Sequence, residues 1–367
     1  LIESLQIING KIINPGKTLI FFSATQAAPK AITSLKYFFE KAPQYHIVSA
    51  GSLLGVRVGK TSGFPVGKVN FINLYPMSFS EYLLATSDEL LLKKLIKNPY
   101  SEKMPEPLHQ TLLKHLKFYL ILGGMPEVID NYINKRNIKE ARDIQSNILE
   151  SYKRDFSKYS SPSESIRISE IWNSIPVHLS KENKKFKYSE IKKGSRSSRF
   201  ESAIEWLKNA GLINVSYNIK SPKFPLSGYI DYNKFKLFLF DTGLLSAMIN
   251  IPLEIILDGN KLFSEYKGAF IENFIAQELL CSGKGNDLYY WTSKNDAEID
   301  FILQKGNSII PLEVKSGMTR KAKSLHVYSE KYSPKNIYRT SPRNFTIDNK
   351  LINIPLYGTS LIFRDDE

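Results

Sequence analysis

Two strand-like runs separated by a two-residue turn constrain this chain more tightly than any other feature. The runs are Glu298 to Gln304 and Ser308 to Lys315, with Gly306-Asn307 between them. Gly-Asn between such runs signals a hairpin, because a tight two-residue turn needs left-handed backbone. With Gly306 and Asn307 as the loop, Lys305 faces Ser308. Counting back along both strands, Asp300 falls opposite Glu313 and Glu298 opposite Lys315. Directly opposed residues share a face, about 5 Å apart at Cβ. The period of two keeps Glu298 with Asp300 and Glu313 with Lys315. One face of the hairpin is expected to carry three carboxylates and one ammonium.

That face has a chemical reading. Asp300 and Glu313 together offer oxygen ligands to a hard cation such as Mg²⁺. A metal held there polarises a phosphate and lowers the pKa of a bound water. Lys315 would help form the water nucleophile or neutralise charge in the transition state. An aspartate followed by Glu-x-Lys on the next strand resembles the restriction-endonuclease-like nucleases. In that fold a glutamate on a preceding helix often completes the site. Glu272, at the edge of the stripe formed by Phe270, Ile271, Phe274 and Ile275, is the candidate; Glu278, inside that stripe, is the fallback. The expected catalytic set is Asp300, Glu313, Lys315 and Glu272, with Asp300 and Glu313 as metal ligands. The plainer alternative is a polar hairpin face that carries a solvated Glu–Lys pair.

The rest of the chain of 367 residues reads as several domains. Residues 1–85 are α/β: Thr18 to Phe22, His46 to Ala50 and Val69 to Leu74 are apolar runs of the buried-strand kind, with a helix from Ala31 to Phe39 after the first. Residues 86–160 are mostly helical, broken at Gly123-Gly124-Met125-Pro126, and the serine-rich stretch 151–165 reads as a linker. Residues 161–235 follow a winged-helix order: a helix marked by Ile168, Ile171, Trp172 and Ile175, a short one at Tyr188 to Lys193, a third from Ser198 to Asn209, then a strand from Leu212 to Ile219. Residues 236–367 return to α/β, with a long helix from about Leu262 to Leu280.

Charge points to a polyanion. Lys plus Arg number 50 against 36 Asp plus Glu, a formal net charge of +14. Lys181, Lys184, Lys185, Lys187, Lys192, Lys193, Arg196 and Arg199 crowd one short stretch with Glu182 and Glu190 as the only acids. Such cations bind phosphates, and hydroxyls at a helix start add contacts. Lys184, Lys185, Lys192, Lys193, Arg196 and Arg199 are therefore the nucleic-acid-binding candidates, with DNA as the expected partner; a solvated basic face or a protein-binding winged helix is the alternative. The single cysteine, Cys281, excludes an internal disulfide and fits a reducing cytoplasm. The five histidines show no metal-ligand spacing. No apolar run approaches a membrane span and no signal peptide opens the chain, so no membrane partner is expected.

Two phosphate-loop lookalikes fail on spacing. Gly10 to Gly16-Lys17-Thr18 has one residue too many and precedes a strand, while Gly63 to Gly67-Lys68-Val69 is too short and lacks the hydroxyl.

Longer stretches carry a resemblance. Thr18-Leu-Ile-Phe-Phe22, Val48-Ser-Ala-Gly-Ser-Leu-Leu-Gly55, Leu74-Tyr-Pro-Met-Ser-Phe79, Gly123-Gly-Met-Pro-Glu127, Phe240-Asp-Thr-Gly-Leu-Leu245 and Glu313-Val-Lys-Ser-Gly317 resemble prokaryotic AAA-type P-loop ATPases that carry a C-terminal domain of unknown function with an endonuclease-like core. The resemblance implies a partial AAA core without the Walker A loop, a helical lid over 86–160, a winged helix and a restriction-endonuclease-like α/β domain. It also implies ATP as cofactor, a DNA-linked role and homo-oligomers, as AAA proteins often form. Two departures stand out. The segment that carries the phosphate-binding loop in the family does not precede this start, which suggests a truncated or mis-called start. The Walker B acids are replaced by Ser23 and Ala24, although Gln26 matches. The acid residues hold Mg²⁺ and prepare water, and Ser and Ala do neither well. Ser49 and Lys68 stand where a sensor and a γ-phosphate contact would be. The expectation is an ATPase by descent, degenerate in hydrolysis, with a DNA-binding winged helix and a nuclease-like domain. The alternatives are an active Mg²⁺-dependent DNA nuclease and a non-functional truncated gene product.

Overall fold

The computed structural model describes residues 2–23, 29–51, 67–179, 185–188, 191, 197–250, 268–282, 287–293, 297–318 and 323–363. The chain divides into two compact units, Leu1–Leu74 with Glu205–Leu212, and Tyr75–Ile204 with Ile213–Glu367.

In the first unit, helix α1 (Ile2–Asn9) leads to strand β1 (Leu19–Phe22), helix α2 (Pro29–Lys41) and strand β2 (His46–Ser49). β1 and β2 pair in parallel, from Leu19 opposite His46 to Phe22 opposite Ser49. This is the strand–helix–strand unit that the apolar runs predict. The third run is not a strand. Residues 69–78 have no regular structure, and Ile72 and Leu74 are 92% and 99% exposed. A strand needs a ladder and a buried face, and this segment has neither among the described residues.

The second unit opens with helices α3 (Phe79–Ala85), α4 (Glu89–Lys97), α5 (Glu106–Leu122), α6 (Pro126–Lys135), α7 (Ile138–Tyr159) and α8 (Pro162–Leu179). Ser78 starts α3 with a capping box: its hydroxyl accepts from Glu81 N, and its own N–H donates to Glu81 Oε2 at 2.7 Å. The stretch 151–165 is not a linker. α7 runs through it to Tyr159, and α8 begins at Pro162. The serines and proline that suggest a loop are helix-start residues instead: Ser161 Oγ accepts from Glu164 N, and Pro162 occupies the first turn, where its missing N–H costs nothing.

Helix α9 (Glu201–Asn209) follows a 3₁₀ turn at Ser197–Arg199. Then come β3 (Ile213–Ile219), β4 (Ile230–Leu239), α10 (Thr242–Met248), α11 (Ala269–Cys281), β5 (Leu288–Thr292), β6 (Glu298–Ile299), β7 (Phe301–Lys305), β8 (Ser308–Val314), α12 (Lys323–Tyr332), β9 (Ile337–Ser341), β10 (Thr346–Asp348) and β11 (Leu351–Pro355). One sheet has the order β4-β3-β5-β6 and the other β10-β11-β9-β8-β7. β6 and β7 are separated by Asp300 alone, so one strand changes sheets there. Trp291, Ile299, Ile302, Leu325, Tyr328 and Ile337 lie in the core beneath it. Most of the short second helix expected at Tyr188 to Lys193, and the start of the one expected from Leu262, fall outside the described residues.

α11 is buried from Phe270 to Leu280, so its polar side chains there are interior fasteners. Asn273 clamps the end of β4, accepting from Leu239 N at 2.7 Å and donating to Leu239 O at 3.1 Å. Gln277 accepts from Thr242 N and donates to the Tyr119 hydroxyl, which donates onward to Met77 O. Glu278, the fallback acid, accepts from Phe79 N at 2.8 Å. Asp241 completes the node. It accepts from Gly124 N at 2.6 Å and Leu244 N at 2.8 Å, while Met77 N donates to Gly124 O at 2.7 Å. Gly123 has φ +74°, and a Cβ there would overlap the Asp241 carboxylate. The Tyr-Pro-Met-Ser-Phe, Gly-Gly-Met-Pro and Phe-Asp-Thr-Gly stretches thus assemble into one structural node.

Burial pushes the Glu278 carboxyl up to about 8. Between the unfolded value, near 4, and that value, the folded chain holds a proton the unfolded chain lacks. Stability therefore falls as pH rises across this window, by up to about 1.4 kcal/mol per pH unit from this group. Glu278→Gln is expected to remove that slope, so its advantage over wild type grows from pH 5 to pH 8 in urea unfolding. A constant difference between the two proteins would refute the assignment.

Candidate functional site

The hairpin forms with the predicted register: Lys305 pairs with Ser308, and the ladder runs back to Phe301 opposite Leu312. It stops one residue before Asp300. The Asp300 side chain turns onto β8, where Oδ2 accepts from Val314 N at 2.8 Å. A carboxylate replaces a backbone carbonyl as acceptor, which ends the ladder and releases the strand to a new partner. β6 then pairs with β5, placing Glu298 opposite Thr292. The expected Glu298–Lys315 couple does not form, and Lys315 N donates instead to Thr340 O on the far side, at 2.8 Å.

The charges on this face therefore divide into two groups. Lys315 Nζ lies 2.9 Å from Glu313 Oε1. Glu313 is buried, and its Oε2 has no hydrogen-bond partner. The second group gathers on a residue that the sequence reading passed over, Lys236 of β4, which is 0% exposed. Its ammonium lies 3.4 Å from Glu272 Oε2 and 4.0 Å from Asp300 Oδ1, and it donates to Glu298 Oε1. Burial would push this ammonium toward neutrality, but the fields of Glu272, Glu298 and Asp300 overcome that and hold its pKa well above the ordinary lysine value. The ammonium also sits 5.0 Å from the centre of the Tyr290 ring. The sequence carries one signal for this residue. Lys236 precedes Leu237-Phe238-Leu239 and follows Phe235, an apolar run of the kind that is buried on both faces.

Glu272, Asp300, Glu313 and Lys315 thus all lie in the C-terminal α/β part, but the first two serve Lys236 while the others pair with each other. This donor set does not fit Mg²⁺. The ion requires several unencumbered oxygens around one point. Here an ammonium stands among Glu272, Glu298 and Asp300, and Asp300 Oδ2 is already bonded to Val314. Among the described residues, no group of three or more His, Cys, Asp or Glu is arranged to hold a metal ion.

Of the basic candidates, Arg199 lies 3.7 Å from Glu170 and 5.3 Å from the Phe200 ring centre. Lys185 is half-buried. Lys184, Lys192, Lys193 and Arg196 lie outside the described residues, as does Ala24. Ser23 follows β1 directly and is exposed. Ser49 ends β2 with a buried hydroxyl that has no hydrogen-bond partner. Lys68 pairs with Glu40 at 2.7 Å. Among the described residues, no helix is long and apolar enough to cross a membrane.

Comparison with known proteins adds sequence relationships to this geometry. Two uncharacterised proteins, of Mycobacterium bovis and Mycobacterium tuberculosis, are each 31% identical over 84 residues, 23% of this chain. The chain spans 18% of the length of these curated relatives. The Walker-type ATPase PABY2304 of Pyrococcus abyssi aligns with a TM-score of 0.40 and 13% identity, over 68% of this chain and 66% of that one. Family models match three stretches: a domain of unknown function, DUF8612, over residues 113–254; a second, DUF4143, over 267–357; and an AAA domain over 2–83. The N-terminal part of the chain, residues 2–83, is thus similar to AAA domains.

Proposed function

We propose that this AAA-related chain binds DNA through its basic surface, and that its nuclease-like centre is a scaffold that does not cut. The observation that carries this reading is Lys236 seated among Glu272, Glu298 and Asp300. The ammonium takes up the carboxylates that a cleaving centre would offer to a metal, while the surplus of 50 basic over 36 acidic residues remains to attract phosphates. The basic stretch that includes Lys185, Lys192, Lys193, Arg196 and Arg199 is the proposed contact. ATP hydrolysis is not part of this reading, because Ser23 and Ala24 supply neither the metal ligand nor the acid that prepares water.

A second reading, Mg²⁺-dependent cleavage by Asp300, Glu313 and Lys315, draws on the partnerless buried Oε2 of Glu313 beside Lys315. One set of samples tests both. Duplex DNA binding is expected to weaken steeply with salt, and Lys192→Glu with Arg196→Glu to lower the log–log salt slope by about 2. Binding that is unchanged by salt and by both substitutions would refute the proposal. With Mg²⁺ or Mn²⁺, supercoiled plasmid is expected to remain intact. Nicking that is lost in both Asp300→Asn and Lys315→Ala would establish the second reading instead.

A further inference from the structure

β4 leaves its ladder for three residues. Asn218 pairs with Asp231 and the adjacent Tyr217 with Phe235, so Tyr232, Asn233 and Lys234 have no residue opposite them on β3. All three are exposed, whereas β4 is buried from Phe235 to Leu239. Asp231 holds this bulge together: Oδ1 accepts from Asn233 N at 3.2 Å, and Oδ2 lies 3.6 Å from Lys234 Nζ. A held bulge re-aims side chains out of a sheet. This one puts out Tyr232, which is 68% exposed and is supported by Tyr217, with 5.4 Å between ring centres and 67° between ring planes. Phe224, in the loop that joins the two strands, is 44% exposed. The charge around these rings is positive. Lys220, Lys223 and Lys234 are exposed, and Asp231 is the one acid between Asn218 and Phe238. Lys220 N donates to Tyr229 O at 2.9 Å, which fixes that lysine within two rungs of the bulge. The loop also contributes Pro225, Leu226 and Ser227 to an open cavity of about 370 Å³ that Asp287, Tyr289 and Gln304 line as well, the size of a small-ligand pocket. Exposed rings among lysines suit a single strand, whose bases stack on the rings while its phosphates meet the ammonium groups. A duplex keeps its base faces inside its own stack.

We propose that the β3–β4 loop and its bulge bind single-stranded nucleic acid, with a base stacked on Tyr232 and phosphates on Lys220, Lys223 and Lys234. None of these residues belongs to the basic stretch invoked for duplex DNA, so the two readings fail separately. Binding of labelled oligothymidine, oligouridine and a DNA duplex to the full chain is measured by fluorescence anisotropy. Tyr232→Ala is expected to lower single-strand affinity about tenfold and to leave duplex affinity within about twofold, while Tyr232→Phe keeps the wild-type affinity for both. Lys220→Glu with Lys223→Glu is expected to weaken single-strand binding and flatten its salt dependence. Absence of single-strand binding overturns the proposal, as does binding that Tyr232→Ala leaves unchanged or that Tyr232→Phe loses equally. If Tyr232→Ala is unfolded, the lysine pair decides, and unchanged single-strand affinity there overturns the proposal. Tyr232-dependent binding of only one of the two oligomers upholds it and identifies the sugar that is accepted. Absence of duplex binding alone refutes the preceding reading and leaves this one standing.

Discussion

Lys236→Met, in metal-free buffer, is expected to lower folding stability by about 3–5 kcal/mol, the cost of leaving buried charge without its partner. The substitution keeps the length and apolar stem of the side chain and removes only the ammonium. What remains is Glu272, buried at 3% exposure, with Glu298 and Asp300 beside it and the Lys236 charge removed from among them. Like charges in a low-dielectric interior repel, and each carboxylate loses a charge-assisted partner. The effect is expected to be nearly constant from neutral pH up to about pH 10, because the ammonium stays charged in both folded and unfolded chains over that range. Adding Glu272→Gln to Lys236→Met is expected to restore part of the loss, since one uncompensated charge is gone; the coupling appears in a double-mutant cycle by urea unfolding. A cost below about 1 kcal/mol would place the ammonium in contact with water and undo the account of a closed ion cluster.

Asp241→Ala is the second large loss, expected at about 3 kcal/mol or more. The carboxylate is 0% exposed and accepts from Gly124 N and Leu244 N, which would be left buried without acceptors. It joins the α5–α6 turn to the start of α10, and the turn in turn holds Met77. Burial pushes the Asp241 carboxyl up to about 6, although its backbone donors favour the charged form. Its contribution is therefore lost as pH rises from about 4 to 6, and Asp241→Ala is expected to show a smaller loss at pH 7 than at pH 4. Asp241→Asn keeps one acceptor oxygen but turns an N–H₂ toward a backbone donor, and is expected to fall between alanine and wild type. Equal stability of wild type and Asp241→Ala in urea would mean the node is not a support.

The two losses illustrate different degrees of legibility. Phe240-Asp-Thr-Gly and Gly123-Gly-Met-Pro are visible as stretches that suit a turn and a helix start, but nothing local tells that they touch. Their meeting depends on Gly123 and Gly243 lacking a Cβ across a gap that spans 120 positions of sequence. Lys236 is only faintly marked, by the apolar run around it, for a related reason. A lysine in a strand reads as a solvent-facing residue, and only the packing of other elements, α11 among them, against β4 shuts it away from water. The serines and Pro162 between α7 and α8 show the opposite failure: loop composition also describes a helix start, and only the helix on either side tells the two apart.

The amino-acid sequence alone determined what local stereochemistry controls. Gly306 and Asn307 select a two-residue turn, and that turn sets the register from Lys305–Ser308 to Phe301–Leu312. The apolar runs at 19–22 and 46–49 likewise mark parallel strands around a helix. Tertiary structure alone decided where the hairpin ends and what its acids do. Asp300 exchanges a ladder bond for one from its own side chain, the strand crosses to β5, and Glu298 and Asp300 meet Lys236 and Glu272. Turn geometry acts over two to four residues, whereas the energy of a buried charge depends on every element that shuts out water and on whichever counter-charge those elements bring within reach.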